Sequence, residues 1–389
     1  MTPQPTQLPD GFRPYVWAIP LEEQAAARGL STAQMIRFDA NVPPLPGVPQ
    51  VALTQSFARL NEYPPGGYRE LHAAAAGYVG VEPEQIVLGA GADELIYVVA
   101  RTYLGPGRVA VVADAPTYPV YRIASELTGA TVTDSAWDDL PTGEVIWICS
   151  PHNPTGRART RAEVAAVAQA NPDALVVVDE AYVEYGGETA VPLVAELPNV
   201  VVLRTLSKAF GLAALRVGYA VAAPDVAEAM RERTEPAPIS APSATIAAAA
   251  LRNPRTDVEE TIAERERVRA ALLAAGYDCP ASAGNFLFFD VAAPDQLFEE
   301  LAGQGLILRR YPNGLRFTVR LPAENDRLLA ALGVEAEASQ RRSALVVRTT
   351  TETALRISLG LDGRGRARVD TGVGFLDHLL TLFAFHGKL

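Results

Sequence analysis

The chain has 389 residues, 49% of them hydrophobic and 20% charged, and a formal net charge of −11. That is the composition of a globular enzyme with room for two or more packed units, and its acidity argues against nucleic acid and anionic membrane surfaces as partners. The start lacks a basic segment followed by an apolar core, and no apolar run reaches the roughly 18 residues of a membrane span, so a cytoplasmic location is expected.

The first 20 residues are rich in proline and read as an arm that can lay Tyr15 and Trp17 on another surface. Residues 21–28 read as a short helix, 39–49 as a Pro-rich loop opened by Asp39-Ala-Asn41, and 51–60 as a helix. That helix leads into Asn61-Glu-Tyr-Pro-Pro-Gly-Gly67, a turn carrying Tyr63, and 68–78 is helical again. Apolar strands are then expected at 86–88, 109–112, 145–149, 175–178 and 200–203, with helices at 92–101, 123–128 and 161–170. This alternation predicts an α/β unit with a mostly parallel sheet covered on both faces. Beyond Gly218 the pattern changes. Helices at 224–233, 241–251, 256–275, 293–303 and 323–332, with strands at 286–290, 306–309 and 315–320, predict a smaller α+β domain. The expected organisation is an arm and part of the small domain at 1–40, the large domain at 41–223, the small domain at 224–335, a linker at 336–343 and a tail at 344–389.

Cys149 and Cys279 are too few for a disulfide framework and lack metal-ligand spacing, so no metal site is expected. The lysines are more telling. Lys208 is the only one before the penultimate residue, among 32 arginines. An arginine stays protonated, whereas a partly desolvated lysine can become a nucleophilic amine. Taken alone Lys208 reads as a solvated surface side chain, but it follows the buried-strand run ending at Leu203, where open α/β sheets place ligands. Gly89-Ala-Gly-Ala-Asp-Glu94 joins a strand to a helix and offers free N–H groups to a phosphate, although Glu94 replaces the third glycine of a dinucleotide fingerprint. Asp179 ends another strand, a costly place for a carboxylate unless it is paired or caps a helix. In Ser150-Pro-His-Asn-Pro-Thr-Gly156 the prolines fix the backbone so that Asn153 can project its amide; His152 reads equally well as a loop residue.

Gly91-Ala-Asp-Glu94, Ala115-Pro-Thr-Tyr118, Ser150-Pro-His-Asn-Pro-Thr-Gly156, Asp179-Glu-Ala-Tyr182 and Arg204-Thr-Leu-Ser-Lys-Ala-Phe210, in that order, resemble the pyridoxal-phosphate aminotransferases of the aspartate aminotransferase fold. The similarity spans about residues 12–335 and is greatest to the histidinol-phosphate aminotransferases. It implies fold type I of the pyridoxal 5'-phosphate transferases, a homodimer, and amino transfer between L-histidinol phosphate and 2-oxoglutarate, yielding glutamate. By the resemblance, Lys208 would carry the cofactor as a Schiff base and Asp179 would pair with its ring nitrogen. Asn153 and Tyr182 would hold the ring hydroxyl and Tyr118 would stack on the ring. The phosphate would fall to the amides of Ala92 and Asp93, to Ser207 and Arg216, and to Tyr63 of the neighbouring subunit. Arg316 would fork the substrate anion, with Arg309, Tyr15 and Asn41 around it and Asn285 close by. Asn41-Val-Pro-Pro44 lacks an acidic residue usual in the family, and Arg320 stands where glycine is common. A threonine-phosphate decarboxylase or an aromatic aminotransferase would use the same constellation. A cofactor-binding regulator would need a basic DNA-binding unit, and none is visible.

The tail carries eight Lys and Arg against four Asp and Glu over residues 340–389, opposite in sign to the rest. Strands are expected at 344–348, 354–361 and 367–371, then a helix near 375–385. Its motifs, among them Thr371-Gly-Val-Gly-Phe-Leu-Asp-His-Leu-Leu380, resemble the start of imidazoleglycerol-phosphate dehydratase. That family makes the ketone histidinol-phosphate aminotransferases consume, so the junction favours a histidine-pathway substrate. The dehydratases hold manganese with several His and Glu ligands, and the tail offers only His378 and His386. It is therefore expected to lack dehydratase activity, to be partly disordered or docked on the body, and to be removable after about Ser339.

Overall fold

The computed structural model describes residues 8–16, 18–44, 63–254, 258–337, 339, 342–350, 353–369 and 371–389. The helix expected at 51–60 lies outside them. Two compact units emerge, Met1–Val16 with Val48–Arg255, and Trp17–Gly47 with Thr256–Leu389. Among the described residues no helix is long and apolar enough to cross a membrane.

Strand β1 (Ile36–Arg37) belongs to the second unit. The next seven build the sheet of the first: β2 (Ile86–Gly89), β3 (Val109–Ala113), β4 (Thr131–Ser135), β5 (Val145–Cys149), β6 (Leu175–Asp179), β7 (Val200–Thr205) and β8 (Gly218–Val221). Their order is β2-β8-β7-β6-β5-β3-β4, parallel except for β8, which is antiparallel to both neighbours. The runs of Val and Ile in β5, β6 and β7 are buried throughout, as strands covered by helices on both faces must be. Two strands of this sheet, like β1, are not expected from the sequence. β4 is a half-exposed edge strand of polar residues, and β8 is only Gly-Tyr-Ala-Val. The helices Pro224–Arg231 and Ala241–Arg252 lie in the first unit. The second of them buries Ile246, Ala247, Ala248, Ala250 and Leu251 and packs on the helix Arg69–Val79.

In the second unit, β9 (Phe286–Asp290), β10 (Leu306–Ile307), β11 (Arg309–Tyr311) and β12 (Gly314–Thr318) form two small sheets, β1-β10 and β11-β12-β9. The single strand expected at 306–309 is thus split at Leu308 and serves both. Phe38, Leu287, Phe289, Leu315, Phe317 and Leu328 anchor the core of this unit.

The tail folds as a hairpin, β13 (Ser343–Thr349) with β14 (Ala354–Gly360), followed by the helix Gly374–Gly387. The strand expected at 367–371 is not formed among the described residues, where three arginines and two glycines between 363 and 368 interrupt any apolar alternation. The hairpin docks on the second unit. Leu345 packs against its core, Arg356 Nη1 donates to the Met35 carbonyl, and Arg364 pairs with Glu260 at 2.6 Å.

Candidate active site

Parallel β5, β6 and β7 are in register, Cys149 opposite Asp179 and Asp179 opposite Leu203, so their carboxyl ends align. Because β8 runs the other way, its first residue, Gly218, lies at this same edge opposite Thr205 and Gly89. That brings the start of the helix Gly91–Tyr103 to the edge where open α/β sheets receive ligands. Gly218 is required for the approach, since a Cβ there would stand 2.6 Å from the Ala92 nitrogen. Gly91, at φ +84°, leaves room for Arg216, whose Nη2 a Cβ would meet at 2.8 Å.

The outcome is an anion cradle. The amides of Ala92 and Asp93 occupy the first helical turn, where their N–H groups lack intrahelical acceptors and the dipole is positive. Arg216, itself left-handed at φ 50°, donates to Asp93 Oδ2 at 2.7 Å, and the Tyr118 hydroxyl donates to Asp93 Oδ1 at 2.7 Å. Tyr15 is near enough to Tyr118 to influence its ionisation. Ser207 is buried at the end of β7 and accepts a hydrogen bond from the Thr205 hydroxyl at 3.0 Å.

Asp179 is 5% exposed. Burial pushes its carboxyl up to about 6, opposed by the Tyr121 hydroxyl, which donates to Oδ2 at 2.6 Å, by the Ala181 amide, which donates to Oδ1 at 3.0 Å, and by the charge of Lys208. Lys208 Nζ stands over the buried Tyr182 ring, 5.4 Å from its centroid. Asn153 is half-buried, and its carbonyl accepts from the Thr117 hydroxyl at 2.9 Å. Tyr63 is 88% exposed.

Nearby polar groups hold this arrangement in place. Arg204 donates to Glu180 at 2.7 Å and to Glu184 at 3.0 Å, tying the turn after β6 to β7. Breaking one partner of such a buried pair would strand a charge. His152 is structural, with Nε2 at 3.0 Å from the Asp114 carbonyl, Nδ1 at 2.8 Å from the Thr155 hydroxyl, and a pKa lowered by burial. The sequence reading passed over Tyr121. It sits in the first turn of the helix Val120–Leu127, and no local pattern marks it, since its partner Asp179 is 58 residues away.

In the second unit Arg316 is 5% exposed on β12. Its Nη2 donates to the Asp39 carbonyl at 2.7 Å and its Nη1 to the Tyr311 hydroxyl at 3.3 Å, and the guanidinium lies over the Phe286 ring. Arg309 on β11 is exposed and directly opposite it in the ladder, so both side chains leave the same face. Asn41, buried and left-handed at φ 50°, receives the Asn285 Nδ2 donor on its carbonyl at 3.2 Å and donates its own N–H to the Thr318 hydroxyl at 2.8 Å. Asn285 Oδ1 is buried and has no hydrogen-bond partner among the described residues. Arg320 is committed elsewhere, to Glu324 at 2.9 Å.

The donor set of the first unit suits a cationic ring bearing a phosphate. Among the described residues burial keeps the Asp179 carboxyl raised to about 6 despite the charge of Lys208, so a ring N–H⁺ would find an acceptor there. At the other end two helix-start amides, a hydroxyl and a guanidinium suit a dianion. Among the described residues no cluster of His, Cys, Asp and Glu could hold a metal ion.

Residues 33–332 match the family described as aminotransferase class I and II. A histidinol-phosphate aminotransferase of Desulfitobacterium hafniense is 35% identical over 334 residues, 78% of this chain and 92% of that protein. An aromatic amino acid aminotransferase of Rhodococcus jostii is 38% identical over 315 residues, 75% of this chain and 87% of its own. The fold is similar to the crystal structure of histidinol-phosphate aminotransferase from Sinorhizobium meliloti in complex with pyridoxal-5'-phosphate, with a TM-score of 0.72, 24% identity, and 81% and 94% of the two chains covered. With most of its length matched, the chain belongs to the class I and II aminotransferases.

Proposed function

We propose that this chain transfers the amino group of L-histidinol phosphate to 2-oxoglutarate, giving imidazole acetol phosphate and glutamate, with pyridoxal 5'-phosphate as cofactor. The arginine pair on β11 and β12 carries the choice of substrate: one guanidinium is buried and oriented, the other exposed on the same face, which suits anions of different reach. Several relatives named histidinol-phosphate aminotransferase agree with it. The Rhodococcus relative supports a second reading, an aromatic aminotransferase.

Bound cofactor serves as the electron sink for the pair released at the substrate carbon. Lys208 Nζ would anchor the cofactor and would act as the base that takes up and returns the proton at the substrate carbon. Asp179 holds the ring nitrogen protonated; Asn153 and Tyr182 hold the ring hydroxyl; Tyr118 covers the ring face. Ala92, Asp93, Ser207 and Arg216 hold the phosphate. The exposed Tyr63 would reach the phosphate of a second copy in a homodimer, working in the cytoplasm. Arg316 grips the anionic end of both substrates, while Arg309 and Tyr15 add to the grip on a phosphate and Asn41 shapes the floor beside Arg316.

The test is amino transfer measured in parallel with histidinol phosphate, phenylalanine and glutamate. Histidinol phosphate should exceed phenylalanine in kcat/KM by about a hundredfold, the scale set by one lost hydrogen bond to a charged group. Arg316→Lys loses a bidentate fork and should raise KM about tenfold for histidinol phosphate and glutamate alike. Arg309→Ala should raise it for histidinol phosphate only. A preference for phenylalanine would establish the aromatic reading, and equal effects of both variants on both substrates would end the partition.

The tail lies beyond the matched residues 33–332, and we propose that it is a dehydratase-like segment dispensable for transamination. Ending the chain after Ser339 should leave kcat/KM within about twofold. The melting temperature should fall by a few degrees, because Leu345 and the Arg364–Glu260 pair are lost from the second unit. Collapse of activity on truncation, or manganese-dependent dehydration by the intact chain, would contradict this.

A further inference from the structure

Behind Asp179 lies a layer that the roles above do not use. Tyr121 is 1% exposed, its ring is stacked on Trp147 with centroids 5.4 Å apart and planes within 12°, and its hydroxyl donates to Asp179 Oδ2 at 2.6 Å. Trp147 is in turn fixed by its indole N–H, 3.2 Å from the Ser125 hydroxyl, and Ser125 donates to the Tyr121 carbonyl at 2.7 Å. Ring and hydroxyl therefore have one orientation. We propose that Tyr121 is the positioning residue for Asp179, holding the plane of the carboxylate and keeping it anionic in a fully buried site.

The groups facing Asp179 show why such a donor is needed. Cys149, its neighbour across the sheet, is a neutral thiol pushed up to about 12 by burial and by Asp179 itself. Asp93, from the helix Gly91–Tyr103, repels negative charge. Lys208 attracts it, and the Ala181 amide occupies the other oxygen. Lys208 is also the residue assigned to carry the cofactor, and once bound through that amine it cannot serve as a fixed counter-ion. Among the described residues the Tyr121 hydroxyl and the Ala181 amide are then the protein donors to Asp179, beside the ring nitrogen it would hold, and of the two only Tyr121 is a side chain. A hydrogen bond to a charged acceptor is about twice as strong as one between neutral groups, and losing it shifts the carboxyl by on the order of one pH unit.

The inference rests on the role proposed for Asp179, and the experiment separates the two. Infrared titration of the full chain freed of cofactor follows the carboxylic acid band of Asp179, assigned by its disappearance in Asp179→Asn. In Tyr121→Phe that band should persist to a pH about one unit higher than in the parent. The affinity for added pyridoxal phosphate should weaken about twofold near pH 7 and approach a tenfold loss below about pH 5, where the carboxyl is mostly protonated in both proteins, and the acid limb of kcat/KM should move up with the band. Placing 3-fluorotyrosine at position 121, a more acidic donor of nearly the same shape, should move the band the other way, and it decides the matter alone if the Phe variant fails to fold. A band that titrates at the parent pH in both variants would overturn the proposal. Unchanged turnover in Asp179→Asn would instead remove Asp179 from its role, while the shift of the band would still report what Tyr121 does to it.

Discussion

Lys208→Ala is expected to lower amino transfer by about 10⁴-fold or more, because one side chain both anchors the cofactor and carries the proton, and each such role is worth on the order of 10²–10⁴. Lys208→Arg should fare no better. Its guanidinium stays protonated at any working pH and cannot act as a base or a nucleophile. Lys388, the only other lysine, lies in a left-handed turn at the end of the tail helix, and its replacement by alanine should leave turnover untouched. The measurement is single-turnover transfer from histidinol phosphate, with cofactor content checked separately. Near-parental rates in Lys208→Ala would remove the lysine from the chemistry.

Asp179→Asn should leave the cofactor bound but lower kcat by about 10²–10³-fold, since an amide still accepts from Tyr121 yet supplies no charge to keep the ring nitrogen protonated. The pH dependence follows from the raised pKa. A group whose folded-state pKa lies above its ordinary value contributes stability below that ordinary value and loses it as pH rises through the folded value, here about 6. The cofactor-free protein should therefore lose part of its stability between about pH 4 and pH 6, and Asp179→Asn should remove that slope. Binding of the cationic ring runs the opposite way, weakening as pH falls below about 6 and the carboxyl protonates. Thermal unfolding against pH, with and without cofactor, reads both signs. A flat profile in the parent chain would show that Asp179 is not the strained carboxyl described.

The large sheet was legible because four of its strands carry apolar runs of four or five residues rich in Val, Ile and Leu, which a core on both faces explains. β8 was not, since four residues beginning with glycine carry no period, and its role in bringing Gly218 against the Ala92 amide depends on an antiparallel insertion that spacing does not encode. The break at Leu308 likewise depends on β1, about 270 residues earlier, claiming Leu306 and Ile307. In the site, Asp179, Lys208 and Asn153 stand out because each follows the carboxyl end of a buried strand. Tyr121 does not, because its partner is 58 residues away and the pairing exists only once β5 and β6 are neighbours. The hairpin of the tail was legible from its alternation, whereas the missing third strand reflects arginines and glycines that an apolar count over 367–371 overlooks.

Before all else, we propose that pyridoxal phosphate is bound covalently at Lys208. Borohydride reduction of the cofactor-loaded chain, followed by proteolysis and mass spectrometry, tests it directly, because the chain offers only two lysines to choose between. One pyridoxyl group per chain is expected, on the peptide containing Ser207 and Lys208, and none on the peptide containing Lys388. An adduct confined to Lys388, or a reducible adduct that survives in Lys208→Ala, would contradict it.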